Sequence, residues 1–372
     1  MTRYSAAIAT FILISLMAAD RPASASSIPR YEPRFGRTRP LIAVLGDNEA
    51  TETTDYVVPY GILAESGVAD VLALSSEPGP IQMRPALRFR VHATTGEFDV
   101  RFPEGADYVI VPNIYGGAEK PVILDWVRAQ ARLGATIVGI CDGVPVLANA
   151  GLLEGRQATG HWRTIGRLER DHPGTRWLRN RRYVADQNVI TTSGVSASIP
   201  ISIALIEAIA GRNRAVAVAT TLGVKDWSAV HDSSQFRLGG KLVTGLLNKG
   251  MFWRHEQLGI AVAAGVDEIA LALTADSWSR TRKSWAFSVA PSPAPLRTRR
   301  GLILLPDRQR GAGEPAVMLP SFDRLPAAQA LDRALDGIEE RYGEPTAAFV
   351  AVQIEYPWKR SSAVGFVARR QR

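Results

Sequence analysis

Short unbroken apolar runs recur along this chain with helix-patterned stretches between them, and this alternation restricts its fold more than any other feature. Leu41-Ile42-Ala43-Val44-Leu45, Val68 to Leu74, Tyr108-Val109-Ile110-Val111-Pro112, Ala135 to Ile140 and Val189-Ile190-Thr191-Thr192 are apolar or β-branched, as strands buried on both faces are. Tyr56 to Ser66, Lys120 to Leu133, Val144 to Leu152 and Ser196 to Ala210 read as helices, the last closed by Gly211. The pattern predicts a mostly parallel sheet with helices on both faces, whose sites lie at the carboxyl ends of the strands. Between Pro80 and Phe102 apolar and polar residues alternate around Thr94-Thr95-Gly96, which suggests a hairpin-like excursion.

The stretch from Leu258 to Pro306 echoes the opening of the first half. Ile260 to Ala264 reads as a strand, Val266 to Ser279 as a helix and Trp285 to Val289 as a strand. Ala316-Val317-Met318-Leu319-Pro320 echoes Val109 to Pro112, and a helix follows from Ala327 to Tyr342. We read residues 40–222 as the main domain and 223–372 as a carboxyl-terminal α/β region, a degenerate partial repeat that carries no cysteine. That region is expected to pack against the first domain without folding alone, because half a sheet leaves an edge and an apolar face to cover.

The amino terminus reads as an export signal. Arg3 precedes an apolar run from Ala6 to Ala19, and Ala23-Ser24-Ala25 supplies a small-residue cleavage site. At about 14 residues the run is short of the roughly 20 a membrane-spanning helix needs, so residues 1–25 are expected to be removed and 26–39 to serve as a linker. The mature chain is then periplasmic or secreted, or membrane-anchored if uncleaved. Its single cysteine can form no intrachain disulfide, so a free thiol stands in an oxidising compartment and asks for a reason.

The net charge is +8, with clusters at Arg179-Asn180-Arg181-Arg182, Arg297-Thr298-Arg299-Arg300 and Arg369-Arg370-Gln371-Arg372. They are scattered and interrupted by acids, so they read as solvated surface rather than a nucleic-acid face.

Gly139-Ile140-Cys141-Asp142-Gly143 has the form of a nucleophile elbow between a strand and a helix. Small flanking residues suit so cramped a turn. A helix amino terminus beside the sulfur favours the thiolate, while Asp142 disfavours it. The alternative is a buried structural cysteine, which packs as a small hydrophobe.

Ile140-Cys141-Asp142-Gly143, Leu147 to Gly155, Ala158-Thr159-Gly160-His161-Trp162 and Thr192 to Ala197 together resemble the DJ-1/PfpI family, most of all the amidase-like domain of AraC-type regulators. The resemblance covers roughly Pro40 to Leu222 and implies the flavodoxin-like, class I glutamine amidotransferase-like fold. It implies that Cys141 is the nucleophile, that Asp55 is the acid beside it and that His161 is a nearby histidine. Gly116 and Gly117 then fall where backbone can bind an oxyanion, with Asp142 also facing the ligand. In the second copy Ala270 aligns with the acid. No cofactor or metal is called for. The expected partners are a small-molecule substrate or ligand and at most a second copy of the chain, with no nucleic acid.

Two departures narrow the function. Protease-like members carry a histidine directly after the cysteine, and Asp142 stands there instead, so peptidase activity is not expected. Regulators of this branch continue into a helix-turn-helix, whereas the region after Leu222 reads as α/β. The remaining readings are a cysteine-dependent enzyme of hydrolase, hydratase or glyoxalase type acting on a small electrophile, a module that binds a small ligand or senses redox state, and a regulator-like protein derived from the AraC-associated amidase-like domain. The elbow and a protonated Asp55 donating to the sulfur would make Cys141 titrate below the free-thiol value of about 8.5.

Overall fold

Leu41 opens strand β1 (Leu41–Val44), whose alternate residues enter two different cores. Leu41 and Ala43 join Val109, Ile123, Trp126 and Leu147 on one side of the sheet, whereas Ile42 and Val44 join Tyr56, Leu63, Ile201 and Ile269 on the other. Burial on both faces is why the run is unbroken. The computed structural model describes residues 28–359 apart from 238, 240, 251–254, 314 and 323. The export segment and the basic cluster at Arg369–Arg372 lie outside the described residues.

After β1 come α1 (Thr53–Ser66), β2 (Asp70–Ser75), β3 (Ile81–Gln82), β4 (Arg88–Arg90), β5 (Ala93–Thr94), α2 (Thr95–Arg101), β6 (Tyr108–Val111), α3 (Pro121–Arg132), β7 (Thr136–Gly139) and α4 (Val144–Asn149). The first half continues with β8 (Gln157–Ala158), α5 (Ile165–Asp171), β9 (Arg176–Trp177), β10 (Tyr183–Asp186), β11 (Val189–Thr192), α6 (Ser198–Ala210) and α7 (Arg212–Leu222). A 7-stranded sheet runs β10-β11-β7-β6-β1-β2-β5, parallel except where β10 meets β11. This is the expected α/β fold.

The excursion between Pro80 and Phe102 differs from the expectation. Its hairpin is β3 with β4, turning at Met83 to Leu87, and Thr94-Thr95-Gly96 instead opens helix α2. Thr94 and Glu97 form a reciprocal capping box there, a Thr-x-x-Glu signal that outweighs the alternation.

The carboxyl-terminal α/β region holds α8 (Lys241–Gly250), β12 (Glu256–Ala261), α9 (Glu268–Ser279), β13 (Ser284–Ala290), β14 (Leu296–Arg297), β15 (Ile303–Leu304), β16 (Arg308–Gln309), β17 (Val317–Met318), α10 (Ala330–Tyr342) and α11 (Glu344–Gln353). Its parallel sheet, β16-β13-β12-β17, has the order of β5-β2-β1-β6, and α9 takes the place of α1. Glu52 caps α1 and Asp267 caps α9. In that alignment Ala270 occupies the place of Asp55.

The two halves join along one seam. β4 pairs with β15, Phe89 opposite Leu304, to complete a second antiparallel sheet. α1 lies on α9 so closely that a Cβ on Gly61 would sit 2.6 Å from Ile269 Cγ1. Every residue of α9 is buried, as is α1 except near its carboxyl end. Neither helix therefore needs a polar stripe.

Arg300 corrects the reading of the basic clusters as solvated surface. Its side chain is 4% exposed and binds Asp267 in its own half and Glu65 across the seam. Arg179 and Arg182 pair with Glu169 and Asp226. Among the described residues no helix is long and apolar enough to cross a membrane.

Because one core runs through both halves, a chain ended after Leu222 would expose the α9-facing side of α1. We expect calorimetry to show a single thermal transition for the full chain and no cooperative transition for the truncated one. Two separable transitions in the full chain would refute the shared core.

Candidate functional site

The carboxyl ends of β1, β6, β7 and β11 converge on Cys141. β7 ends at Gly139, and two residues on the chain turns through Cys141 at φ 53°, a left-handed conformation that costs a non-glycine residue energy. Gly143 makes the turn possible, since a Cβ there would lie 2.1 Å from the Val111 carbonyl oxygen. The Cys141 N–H donates to Thr192 Oγ1 at 3.1 Å, which ties the elbow to the end of β11. Cys141 as a whole is 4% exposed.

The amino terminus of α1 brings the acids. Glu52, fully buried, accepts from the Asp55 N–H through Oε2 and from Arg280 Nη2 through Oε1. Asp55, also fully buried, accepts from the Asn113 N–H and from Ser198 Oγ, each at 3.2 Å. Arg280 arrives from the end of α9 and also binds Asp276 at 2.7 Å, and Asp276 accepts from Thr54 Oγ1. Tyr115, 47% exposed, lies in the field of Arg280, Glu52, Asp276 and Cys141.

Burial dominates the protonation of these groups. Desolvation raises the Asp55 carboxyl to about 8, against the Asn113 N–H, Arg280 and Ser198, which favour its charged form. Burial, followed by the nearby Asp276 and Asp55, pushes Glu52 up as well. The Cys141 thiol is raised first by burial and then by Asp55, Asp142 and Glu52, with Arg280 opposing. This overturns the expectation of a thiol titrating below the free value: the elbow's local geometry cannot offset loss of water and a ring of carboxylates.

The other expected residues fall nearby with their polar groups already engaged. Asp142 accepts from Thr164 Oγ1 at 2.7 Å. His161, 5% exposed, accepts from the Arg163 N–H at Nδ1, so its Nε2 carries the proton and donates to the Gln353 carbonyl at 3.1 Å. Both ring nitrogens are thus held by main chain, which leaves neither to take the Cys141 proton in this conformation. The Gly117 N–H donates to the Ile114 carbonyl, which removes it as an oxyanion donor; Gly116 takes φ 73° beside it.

Sequence reasoning missed Glu52, Arg280, Ser198 and the turn after α11. Glu52 had a readable signal, three residues before Asp55 at a helix start. Arg280 had none, since it meets Glu52 from 228 residues away. The turn after α11 covers the His161 loop: Ile354 and Glu355 carbonyls accept from Ser196, and the Val352 carbonyl accepts from Trp162 Nε1. Buried Glu355 binds His231, Ser233 and the Trp162 N–H.

Residues 41–208 match the profile of the DJ-1/PfpI family. The HTH-type transcriptional regulator CdhR of Pseudomonas aeruginosa is 38% identical over 101 residues, 27% of this chain and 30% of that protein. Isonitrile hydratase of Pseudomonas putida is 28% identical over 169 residues, 42% of this chain and 67% of its own. Deglycase PfpI of Pyrococcus furiosus is 30% identical over 157 residues, 41% of this chain and 88% of its own. The chain thus spans less than a third of the regulator. The crystal structure of Drosophila melanogaster DJ-1beta aligns with 50% of this chain and 100% of its own at 19% identity, with a TM-score of 0.45.

The Asp55 shift has a consequence for stability. An unfolded chain releases this proton near 3.8, the folded one near 8, so stability falls as pH rises through that window and levels above it. The slope from one such group is at most about 1.4 kcal/mol per pH unit. Asp55→Asn removes the titrating proton and keeps both partners when its Oδ1 accepts from the Asn113 N–H and its Nδ2 donates to Ser198 Oγ, so in urea unfolding it should gain on the parent chain from about pH 4 to pH 8. Parallel stability curves for the two proteins would show that Asp55 is ionised in the fold.

Proposed function

This chain belongs to the DJ-1/PfpI family, and from that premise we propose that it uses Cys141 as a nucleophile on a small, uncharged electrophilic carbon, with Asp55 carrying the proton. The observation that carries this reading is a strained cysteine within the electrostatic reach of a buried carboxyl that keeps its proton at neutral pH. A protonated acid can give its proton to the substrate as sulfur adds, and its conjugate base can recover the thiol proton. A thiol with so little exposure favours a small substrate, and the carboxylates around it disfavour an anionic one.

Hydration of an isocyanide illustrates the chemistry, in keeping with the named activity of the Pseudomonas putida relative. The sulfur adds to the terminal carbon, which gains one proton, and the product is a thioimidate. Water then adds to that carbon, the carbon–sulfur bond breaks, and an N-substituted formamide leaves with the thiol restored. Asp55 gives and regains one proton across the cycle, and no oxidant or reductant is consumed. Hydrolysis of a small amide would use the same groups.

The second reading, a ligand-binding or redox-sensing module, is favoured by the engagement of both His161 nitrogens, which leaves no histidine base for catalysis. Turnover separates the two. On a panel of small isocyanides, amides and aldehydes, Cys141→Ser should lose at least about a thousandfold in kcat/KM, and Asp55→Asn about a hundredfold. Cys141→Ser should melt close to the parent protein. No turnover on the panel, together with reversible oxidation of Cys141, would favour the sensor.

Export belongs to the same proposal and rests on Arg3, the run from Ala6 to Ala19 and Ala23-Ser24-Ala25. Mass spectrometry of envelope protein is expected to find Ser26 at the amino terminus. A full-length chain in the cytoplasm would end that part of the reading.

A further inference from the structure

We propose that Arg280, supplied by the carboxyl-terminal half-repeat, is a positioning residue for Cys141, holding Glu52 and through it the Asp55 turn in place while setting the charge around the sulfur. The proposal rests on Cys141 being the nucleophile.

The seam between the halves is built twice. At one end the cap of α1, Glu52, meets Arg280, which also binds Asp276 in the last turns of α9. At the other end the cap of α9, Asp267, meets Arg300, which also binds Glu65 in the last turn of α1. Each junction is therefore a cap acid, an arginine and an acid from the opposite helix's carboxyl end. What differs is what stands beside them. The Arg300 junction has Ala270 at the place of Asp55 and serves to join the halves. The Arg280 junction has Asp55 and Cys141, and its arginine comes from the half opposite the thiol.

The geometry fixes the guanidinium from two sides, with Nε on Asp276 and Nη2 on Glu52. The second Glu52 oxygen holds the Asp55 N–H, so the line from Arg280 through Glu52 ends at the acid beside the thiol. The groups facing Arg280 are Glu52 and Asp55 from α1, Asp276 from its own helix, Tyr115 from the loop after β6, and Cys141 from the elbow. It brings positive charge into a set of acids.

Thiolate absorbance in the ultraviolet, measured against pH as a difference from Cys141→Ser, tests this without any substrate. Arg280→Met should raise the Cys141 midpoint by about one pH unit or more, because a neighbouring cation is lost. Glu52→Gln should move it down, because an acid is lost while Arg280 remains. Arg280→Lys should fall between Arg280→Met and the parent chain, keeping the charge but not the two-sided hold. Should Arg280→Met not fold, the lysine and glutamine variants carry the comparison through their opposite shifts. A residue that only joins the halves would lower melting temperature and leave the midpoint in place. A thiol that titrates at the same pH in every folded variant, or in none of them, overturns the proposal. The expected shifts in a parent chain that turns over no substrate would instead count against the hydratase reading alone.

Discussion

A guanidinium in a water-poor seam among acids is the interaction on which the rest of this structure depends. Glu52, Asp55 and Asp276 are all buried, and an isolated buried carboxylate costs several kcal/mol. Such groups persist only by pairing or by keeping their protons. Arg280 pairs with Glu52 and Asp276, and Asp55 keeps its proton. The seam between the halves and the protonation state of the site are therefore one problem, solved by the same side chain.

That coupling explains why the half-repeat is packed as it is. Its strand order and helix repeat the opening of the first half, yet it has no cysteine and, among the described residues, no elbow. Its contribution is to bury α1 and to deliver the end of α9 to the acids at the start of α1. Gly61 is the local condition for this, since any side chain there would push against Ile269 and hold the helices apart.

How much of this was legible follows from the range of the interactions. β1, β6, β7 and β11 could be read because burial on both faces leaves an unbroken apolar run. The elbow at Cys141 could be read because it is a local pattern, whereas Asp55 was singled out only through the family resemblance. The hairpin at β3 and β4 could not, because strands of two and three residues are too short to show a period. Thr94 and Glu97 were a readable cap that the surrounding alternation concealed. The buried, uniformly packed α1 and α9 show no stripe to say what covers them, and Arg280 owes its place to tertiary packing alone. His161 was expected beside the cysteine as a site histidine, but its ring is held by the Arg163 N–H and by the carbonyl of Gln353, a partner near the far end of the described chain that no local pattern announces.

The thiol illustrates why a local motif does not settle reactivity. An elbow offers backbone geometry that exposes a nucleophile and, in water, a neighbouring helix terminus that favours its anion. Here the same turn is closed over by its surroundings, so the anion loses its hydration and gains Asp55, Asp142 and Glu52 as neighbours. A nucleophile in that setting gains from reacting as a thiol whose proton moves with the bond being formed, which asks for an acid–base partner at neutral pH rather than for a preformed thiolate. Asp55, with a carboxyl near 8, is matched to that task, and its value is a product of burial that Arg280 holds in check. The half-repeat, though it carries no nucleophile, thereby bears on what the nucleophile can do.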